Sequence, residues 1–261
     1  MGQSVDLVTC VMTSAGRGFA GTMVEPAGNK PEKLLKLYDI ENSPYCRLVR
    51  EALTELDLDA EIYPCPIGGN SFRGEARKLG GKAQFPFLFD PNTGRKVYES
   101  FDIIEYVYRT YAGRDLPAKW QKRRRQLVGS AIAGVPRALH GSKARRSPAA
   151  PVRGTGRDGG KMIELYSYEH SPYARLVRET LCELEVPYIL RSCGRTVLTE
   201  WIPPFIREPV GLVPDSDLLN RRELQAREGK VGIPYLRDHA TETALFESGD
   251  IVKYLEQQYA A

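Results

Sequence analysis

The stretch SPYCRLVREALTEL at residues 43–56 recurs as SPYARLVRETLCEL at residues 171–184, identical at 11 of 14 positions with an offset of 128. Each copy opens on Ser-Pro. A serine at the cap position accepts a hydrogen bond from an otherwise unsatisfied N–H, and a proline is tolerated at the first helical position, so Ser43 and Ser171 mark helix starts. Tyr45, Leu48, Val49, Ala52, Leu53 and Leu56 then recur at spacings of three and four, which predicts one buried stripe. Arg47, Arg50, Glu51 and Glu55 fall on the other face. Tyr173, Leu176, Val177, Thr180, Leu181 and Leu184 repeat the stripe.

The repetition continues on both sides. LLKLYDIEN at 34–42 matches MIELYSYEH at 162–170, and YESFDIIEY at 98–106 matches FESGDIVKY at 246–254, now with an offset of 148. The second copy therefore holds about 20 extra residues, around TEWIPPFIREPVGLVPDSDLLNRRE. The period is too long for a solenoid, so the chain reads as two copies of one small domain, at 33–112 and 161–261. Within the first copy a strand at Lys36–Ile40 precedes the helix. A strand at Ala60–Tyr63, a helical or irregular region, a strand from Pro86, a strand at Lys96–Tyr98 and a closing helix at Ser100–Tyr111 follow it. The order βαβαββα predicts an α/β domain with a mixed sheet. An N-terminal arm, residues 1–32, precedes the first copy; its Gly-rich MTSAGRGFAGTMVEPAGNKP has a counterpart in SAIAGVPRALHGSKA before the second.

Between the copies lies residue range 113–160. From Pro117 to Gly160 there are 11 Lys or Arg against the single acid Asp158, a local charge of +10, so a chain of net charge +4 is near −6 elsewhere. This stretch reads as a solvated basic linker, with an anionic partner such as nucleic acid or a membrane surface as the alternative. No aromatic is interleaved after Trp120, which disfavours single-stranded nucleic acid. No apolar run reaches the length of a membrane span, and no membrane partner is expected. The first residues lack the basic and apolar regions of a secretory signal. The five cysteines, 10, 46, 65, 182 and 193, form no metal-binding spacing with the three histidines, so neither a disulfide framework nor a metal site is indicated. A reducing compartment, the cytoplasm, fits; a plastid address stays open.

Three features, in the same order in both copies, resemble the thioredoxin-like N-terminal domain of glutathione S-transferases and, more distantly, glutaredoxins. They are the Ser-Pro-Tyr helix start, the proline opening the third strand (Pro86, Pro234) and the Glu-Ser pair opening the last helix (Glu99-Ser100, Glu247-Ser248). The resemblance implies two tandem thioredoxin-like domains that bind glutathione. Ser43 and Ser171 would hold its thiolate at a helix N-terminus, where the macrodipole and a hydroxyl proton stabilise the anion. It further implies cis peptides before Pro86 and Pro234, which turn the backbone of Phe85 and Ile233 toward the cysteinyl unit. Glu99-Ser100 and Glu247-Ser248 would receive the γ-glutamyl end. Read without the family, the serines are caps, the prolines begin strands and the glutamates are strand-end acids.

Two departures qualify the activity. A glutaredoxin carries cysteine where both copies carry serine; Cys46, three residues on, is a candidate redox thiol in the first helical turn, with a small core residue as the alternative. The sequence also contains no stretch for the all-helical domain that gives the transferases their electrophile pocket. That pocket would then lie between the copies, at Trp201, Ile202, Phe205 and Ile206 of the insertion, or on a partner. Cys65 and Cys193 correspond after the second strand and are candidates for redox or packing roles. Three readings stand: a glutathione-dependent transferase or thiol-redox enzyme acting on a small electrophile or thiol, a non-enzymatic glutathione-binding module, and an interaction scaffold.

Overall fold

Leu35 and Leu37 alternate with Lys36 and Tyr38 along the first strand, and that alternation decides which helices lie on which face of the sheet. The computed structural model describes residues 2–18, 20–145, 162–196 and 216–260. The first copy comprises β1 (Leu35–Asp39), α2 (Pro44–Glu55), β2 (Ala60–Pro64), α3 (Arg73–Gly80), β3 (Phe87–Asp90), β4 (Arg95–Tyr98) and α4 (Ser100–Val107), which continues as one π-helical turn to Ala112. The second comprises β5 (Ile163–Ser167), α7 (Pro172–Glu183), β6 (Tyr188–Ser192), α8 (Leu219–Glu228), β7 (Tyr235–Asp238), β8 (Thr243–Leu245) and α9 (Ser248–Tyr259). Both have the expected βαβαββα order. Leu35, Leu37, Leu165 and Leu236 bury one face of the sheet under α2, α4, α7 and α9, while Tyr38, Tyr63 and Phe87 bury the other under α3.

The two copies are not separate bodies on a tether. The eight strands of the described residues form one sheet in the order β4-β3-β1-β2-β6-β5-β7-β8. β2 pairs antiparallel with β6, with Ala60 opposite Leu190, Glu61 opposite Ile189 and Ile62 opposite Tyr188. Since Ala60 corresponds to Tyr188 and Ile62 to Leu190, a pseudo-twofold axis passes through the Glu61–Ile189 pair. Pairing these edges covers the backbone groups that each half would otherwise expose.

The charged face of the Ser-Pro helices is buried as well as the apolar one. α2 and α7 lie side by side across the axis, and their charges are satisfied reciprocally. Arg50 Nε donates to Glu169 Oε2 at 2.9 Å and Arg178 Nε to Glu41 Oε1 at 3.1 Å. Arg50 Nη2 reaches the Glu41 carbonyl at 2.7 Å, and Arg178 Nη2 reaches that of Glu169 at 3.0 Å. Arg50 also bonds Asp39, and Arg178 bonds Ser167, the counterpart of Asp39. Both guanidinium groups are 1% exposed. Burial raises the Glu169 carboxyl, but Arg178 and Arg50 outweigh it and hold the group at about 2. Conversely Tyr45 and Tyr173, placed in the buried stripe by periodicity, are exposed, because they lie in the first turn beyond the edge of the core.

The arm and much of the linker are also part of this layer, and this corrects their reading as flanking and solvated segments. α1 (Gly2–Ala15) packs on α7 of the second copy, and α6 (Arg123–Gly134) packs on α2 of the first. The short α5 (Ala118–Gln121) buries Trp120, whose Nε1 donates to Glu55 Oε2 at 3.0 Å. The arms repeat at an offset of 120. Arg17 Nε bonds Glu51 at 2.9 Å, and Arg137 Nε bonds the equivalent Glu179 at 3.1 Å. Gly21 accepts from the His170 N–H, and Gly141 from that of Asn42. Gly141, at φ 66°, also needs its missing Cβ, which would stand 3.0 Å from both Glu41 and Glu179. Linker residues 146–160 lie outside the described residues.

His170 supplies a pH prediction. Its N–H holds the first arm and its carbonyl accepts from Ser14 Oγ at 2.8 Å. Burial, with Arg195, Arg47 and Arg178 nearby, lowers its imidazole from 6.5 to about 4 despite the adjacent Glu169. The unfolded chain therefore takes up this proton at higher pH than the folded one. The neutral imidazole's contribution is complete above pH 6.5 and is lost as pH falls toward 4, to a total of about 3 kcal/mol. The Asp39 and Glu51 carboxyls, pushed up by burial, titrate in the opposite sense, so the comparison is made at each pH between the wild type and His170→Asn, the residue used at position 42. Urea midpoints between pH 7 and pH 4 should converge or cross in favour of the variant; a constant gap would show that His170 does not titrate there.

Candidate functional site

Strand register brings the three sequence features of each copy to one end of the sheet. Tyr38 faces Phe87 and Phe87 faces Tyr98 across β1, β3 and β4. One residue further, β1 ends and leads to Ser43, β3 is entered through Pro86, and β4 ends at Glu99. The second copy repeats this: Tyr166 faces Tyr235, Leu236 faces Leu245, and the next positions lead to Ser171, Pro234 and Glu247. The Phe85–Pro86 and Ile233–Pro234 peptides are cis, the isomer expected.

At the helix starts the capping chemistry is in place. Ser43 Oγ accepts from the Cys46 N–H at 3.4 Å, and Ser171 Oγ from the Ala174 N–H at 3.2 Å. A hydroxyl that accepts in this way keeps its own proton for a second partner. The two serines differ in access: Ser43 is half-buried, whereas Ser171 is 1% exposed.

Glu99 and Glu247 stand at φ 64° and 58° with ψ 124° and 115°, a left-handed setting that a glutamate adopts at a cost of about 1–3 kcal/mol. Both side chains are exposed, and each is followed by a buried serine at the first position of α4 or α9. The same geometry recurs at equivalent positions of both copies. Gln84 Nε2 bonds Glu99 Oε1, tying the loop before Pro86 to the end of β4.

Cys46 does not belong to this site. Its Sγ is fully buried, accepts from the Ile40 N–H at 3.4 Å, and burial together with Asp39 pushes the thiol up to about 12. The helix N-terminus cannot offset that desolvation, so Cys46 is a core residue. Cys65 and Cys193 are likewise buried, each against the aromatic cluster under α3 or α8, and burial pushes both thiols up.

Sequence reasoning missed two cations. The ammonium of Lys82 lies 4.4 Å from the Tyr98 ring centre and that of Lys230 lies 4.3 Å from that of Phe246, both exposed beside the cis-proline loops. The signal was present as Gly-Lys four residues before each proline, in GKAQFP and GKVGIP.

The face between the copies, one of the places considered for a second substrate, is filled by the ion pairs described above. The insertion residues Trp201, Ile202, Phe205 and Ile206 lie outside the described residues. A cleft of about 380 Å³ does open between α7, α9, α1 and the second arm, lined by Asp6, Arg137, Tyr173, Leu176, Glu183 and Val252. In the first copy Trp120 is buried against Glu55, the counterpart of Glu183. Among the described residues no cluster of His, Cys, Asp or Glu could hold a metal ion, and no helix is long and apolar enough to cross a membrane.

Residues 37–115 and 165–261, one segment per copy, match the family model described as the N-terminal domain of glutathione S-transferase. No curated protein matches the chain. Among solved structures, a unique trimeric glutathione transferase of Leishmania matches at 13% identity over 88% of this chain and 68% of its own, with a TM-score of 0.27.

Proposed function

The chain belongs to the glutathione S-transferase N-terminal domain family, and from that premise we propose that it binds glutathione and uses it in thiol transfer or thiol-redox chemistry, with the first copy as the reactive one. The observation that carries this reading is the convergence of Ser43, Phe85–Pro86 and Glu99–Ser100 at one sheet end by strand register. In this reading the Ser43 hydroxyl donates to the thiolate, whose charge is further stabilised by the free N–H groups of α2. The Phe85 backbone pairs with the cysteinyl unit as a short strand would. The N-terminus of α4 takes the γ-glutamyl carboxylate, Glu99 its ammonium, and Lys82 the glycyl carboxylate. The second copy offers the same elements at Ser171, Ile233–Pro234, Glu247–Ser248 and Lys230, with its serine less accessible.

A second reading, a binding module without turnover, is favoured by one asymmetry. The accessible serine belongs to the copy in which Trp120 is buried against Glu55, and the open cleft belongs to the copy whose serine is buried.

Calorimetric titration with reduced glutathione tests both. Binding at near-millimolar affinity or tighter, roughly 4 kcal/mol or more, is expected. Ser43→Ala and Ser171→Ala remove the same kind of cap, each at about 1 kcal/mol of stability. Only Ser43→Ala should also abolish turnover of a generic electrophile or disulfide. Equal effects of the two variants would remove the assignment to the first copy. Absence of binding by the folded protein would remove the glutathione reading and leave the scaffold.

A further inference from the structure

Among the described residues, nothing covers the outer surface of the two arm helices. Val8 and Met12 on α1 correspond to Val128 and Ile132 on α6 at the arm offset of 120, and all four are exposed, as are Val135 and Leu139 just beyond α6. At helical spacing these residues share one face of each helix, opposite the buried Cys10 and Thr13 of α1 and Ser130 and Ala133 of α6. Single exposed apolar side chains are ordinary, but a two-helix face of branched and long apolar residues, repeated by the pseudo-twofold, is the kind of patch that marks an interaction site.

Charge indicates what docks. Arg124 and Arg125 fall on the same face as Val128, one turn before it, and Lys122 and Arg123 precede them. Four cations thus stand at the N-terminal end of α6, where the helix dipole opposes them, so they are not placed there to stabilise the helix. Arg123 is drawn toward Asp102 and Glu105, whereas the Arg124 and Arg125 side chains point to solvent. From Pro117 to Arg145 the chain contains no acid, and Arg146, Arg153 and Arg157 continue the basic run in the sequence. A second copy of this chain would bring like charges together on such a face. A stacking nucleic-acid strand would need exposed aromatics, and Trp120 is buried.

We propose that the α1–α6 face lies flat on an anionic lipid surface. Val8, Met12, Val128, Ile132 and Leu139 enter the boundary between headgroups and acyl chains, and Lys122, Arg124 and Arg125 meet lipid phosphates. The attachment is peripheral, and the pseudo-twofold axis through the sheet stands along the bilayer normal.

Co-sedimentation of the full chain with vesicles tests this. Binding is expected to vesicles of phosphatidylcholine containing roughly 30 mol% phosphatidylglycerol and not to phosphatidylcholine alone, and it should fall with added salt. Arg124→Glu/Arg125→Glu should lower the partition coefficient roughly tenfold or more, and Val128→Ser/Ile132→Ser should do the same at low salt. All four residues are exposed, and unchanged urea midpoints establish that the variants are folded. Absence of anionic-vesicle binding, or binding that survives both variants, overturns the proposal. A dimer in light scattering that Val128→Ser/Ile132→Ser splits, without vesicle binding, assigns the face to a second copy instead.

Discussion

Arg50→Ala is expected to cost about 3–5 kcal/mol, enough to unfold a marginal protein at ambient temperature. The guanidinium spans both copies: it bonds Asp39 and the Glu41 carbonyl in the first and Glu169 in the second, all within the buried interface between α2 and α7. Removing it leaves three carboxylates, Asp39, Glu41 and Glu169, in low dielectric with one of their cations gone, and most of the penalty is that desolvation rather than the lost attraction. Arg178→Ala should behave alike through Glu41. Because each arginine closes the other copy's loop, denaturant unfolding should remain a single transition in wild type and variants when followed by far-ultraviolet dichroism and by tryptophan fluorescence. A loss under about 1 kcal/mol, or a first transition confined to one half, would show that the copies fold independently.

The second large effect concerns the stretch between the copies. Trp120→Ala should cost about 3–5 kcal/mol, the range for truncating a buried aromatic. The indole is 1% exposed and belongs to the main core cluster beside Tyr108 and Tyr111. Its N–H and the Tyr108 hydroxyl both donate to Glu55 Oε2 at 3.0 Å, while Lys119 takes the other oxygen at 2.6 Å. Trp120→Phe keeps much of the packing but not the hydrogen bond, so it should fall between wild type and alanine, about 1 kcal/mol beyond the packing loss. Equilibrium unfolding of both variants measures the difference. A change within about 0.5 kcal/mol, as for an exposed position, would return residues 113–122 to the status of a tether.

What could be read from the chain, and what could not, separates along a physical line. Ser43, Pro86, Glu99 and their counterparts are legible because each carries a local backbone requirement, and their order alone places them in one fold. The shared sheet is not legible, since AEIYP of β2 and YILRS of β6 look like strands of any edge or interior. Arg47, Arg50, Glu51 and Glu55 read only as the face opposite the apolar stripe, because an amphipathic pattern distinguishes apolar from charged surface but cannot show that the charged surface meets its own reciprocal copy. The arms escaped as helices packed on the repeats for a related reason. Their equivalence rests on Arg17 and Gly21 against Arg137 and Gly141, with little identity between. Lys82 and Lys230 were visible as a repeated Gly-Lys, but a lysine before a proline has no local requirement to draw attention to it.

The pseudo-twofold at Glu61 and Ile189 has a consequence for mass action. An interface of this kind between two separate chains dissociates on dilution, and its occupancy tracks protein concentration. Here both faces belong to one polypeptide, so each half meets its counterpart at the fixed effective concentration set by the connecting segment. Whatever chemistry depends on the two halves being joined should therefore persist unchanged from micromolar stocks to the lowest concentration at which the protein can be assayed.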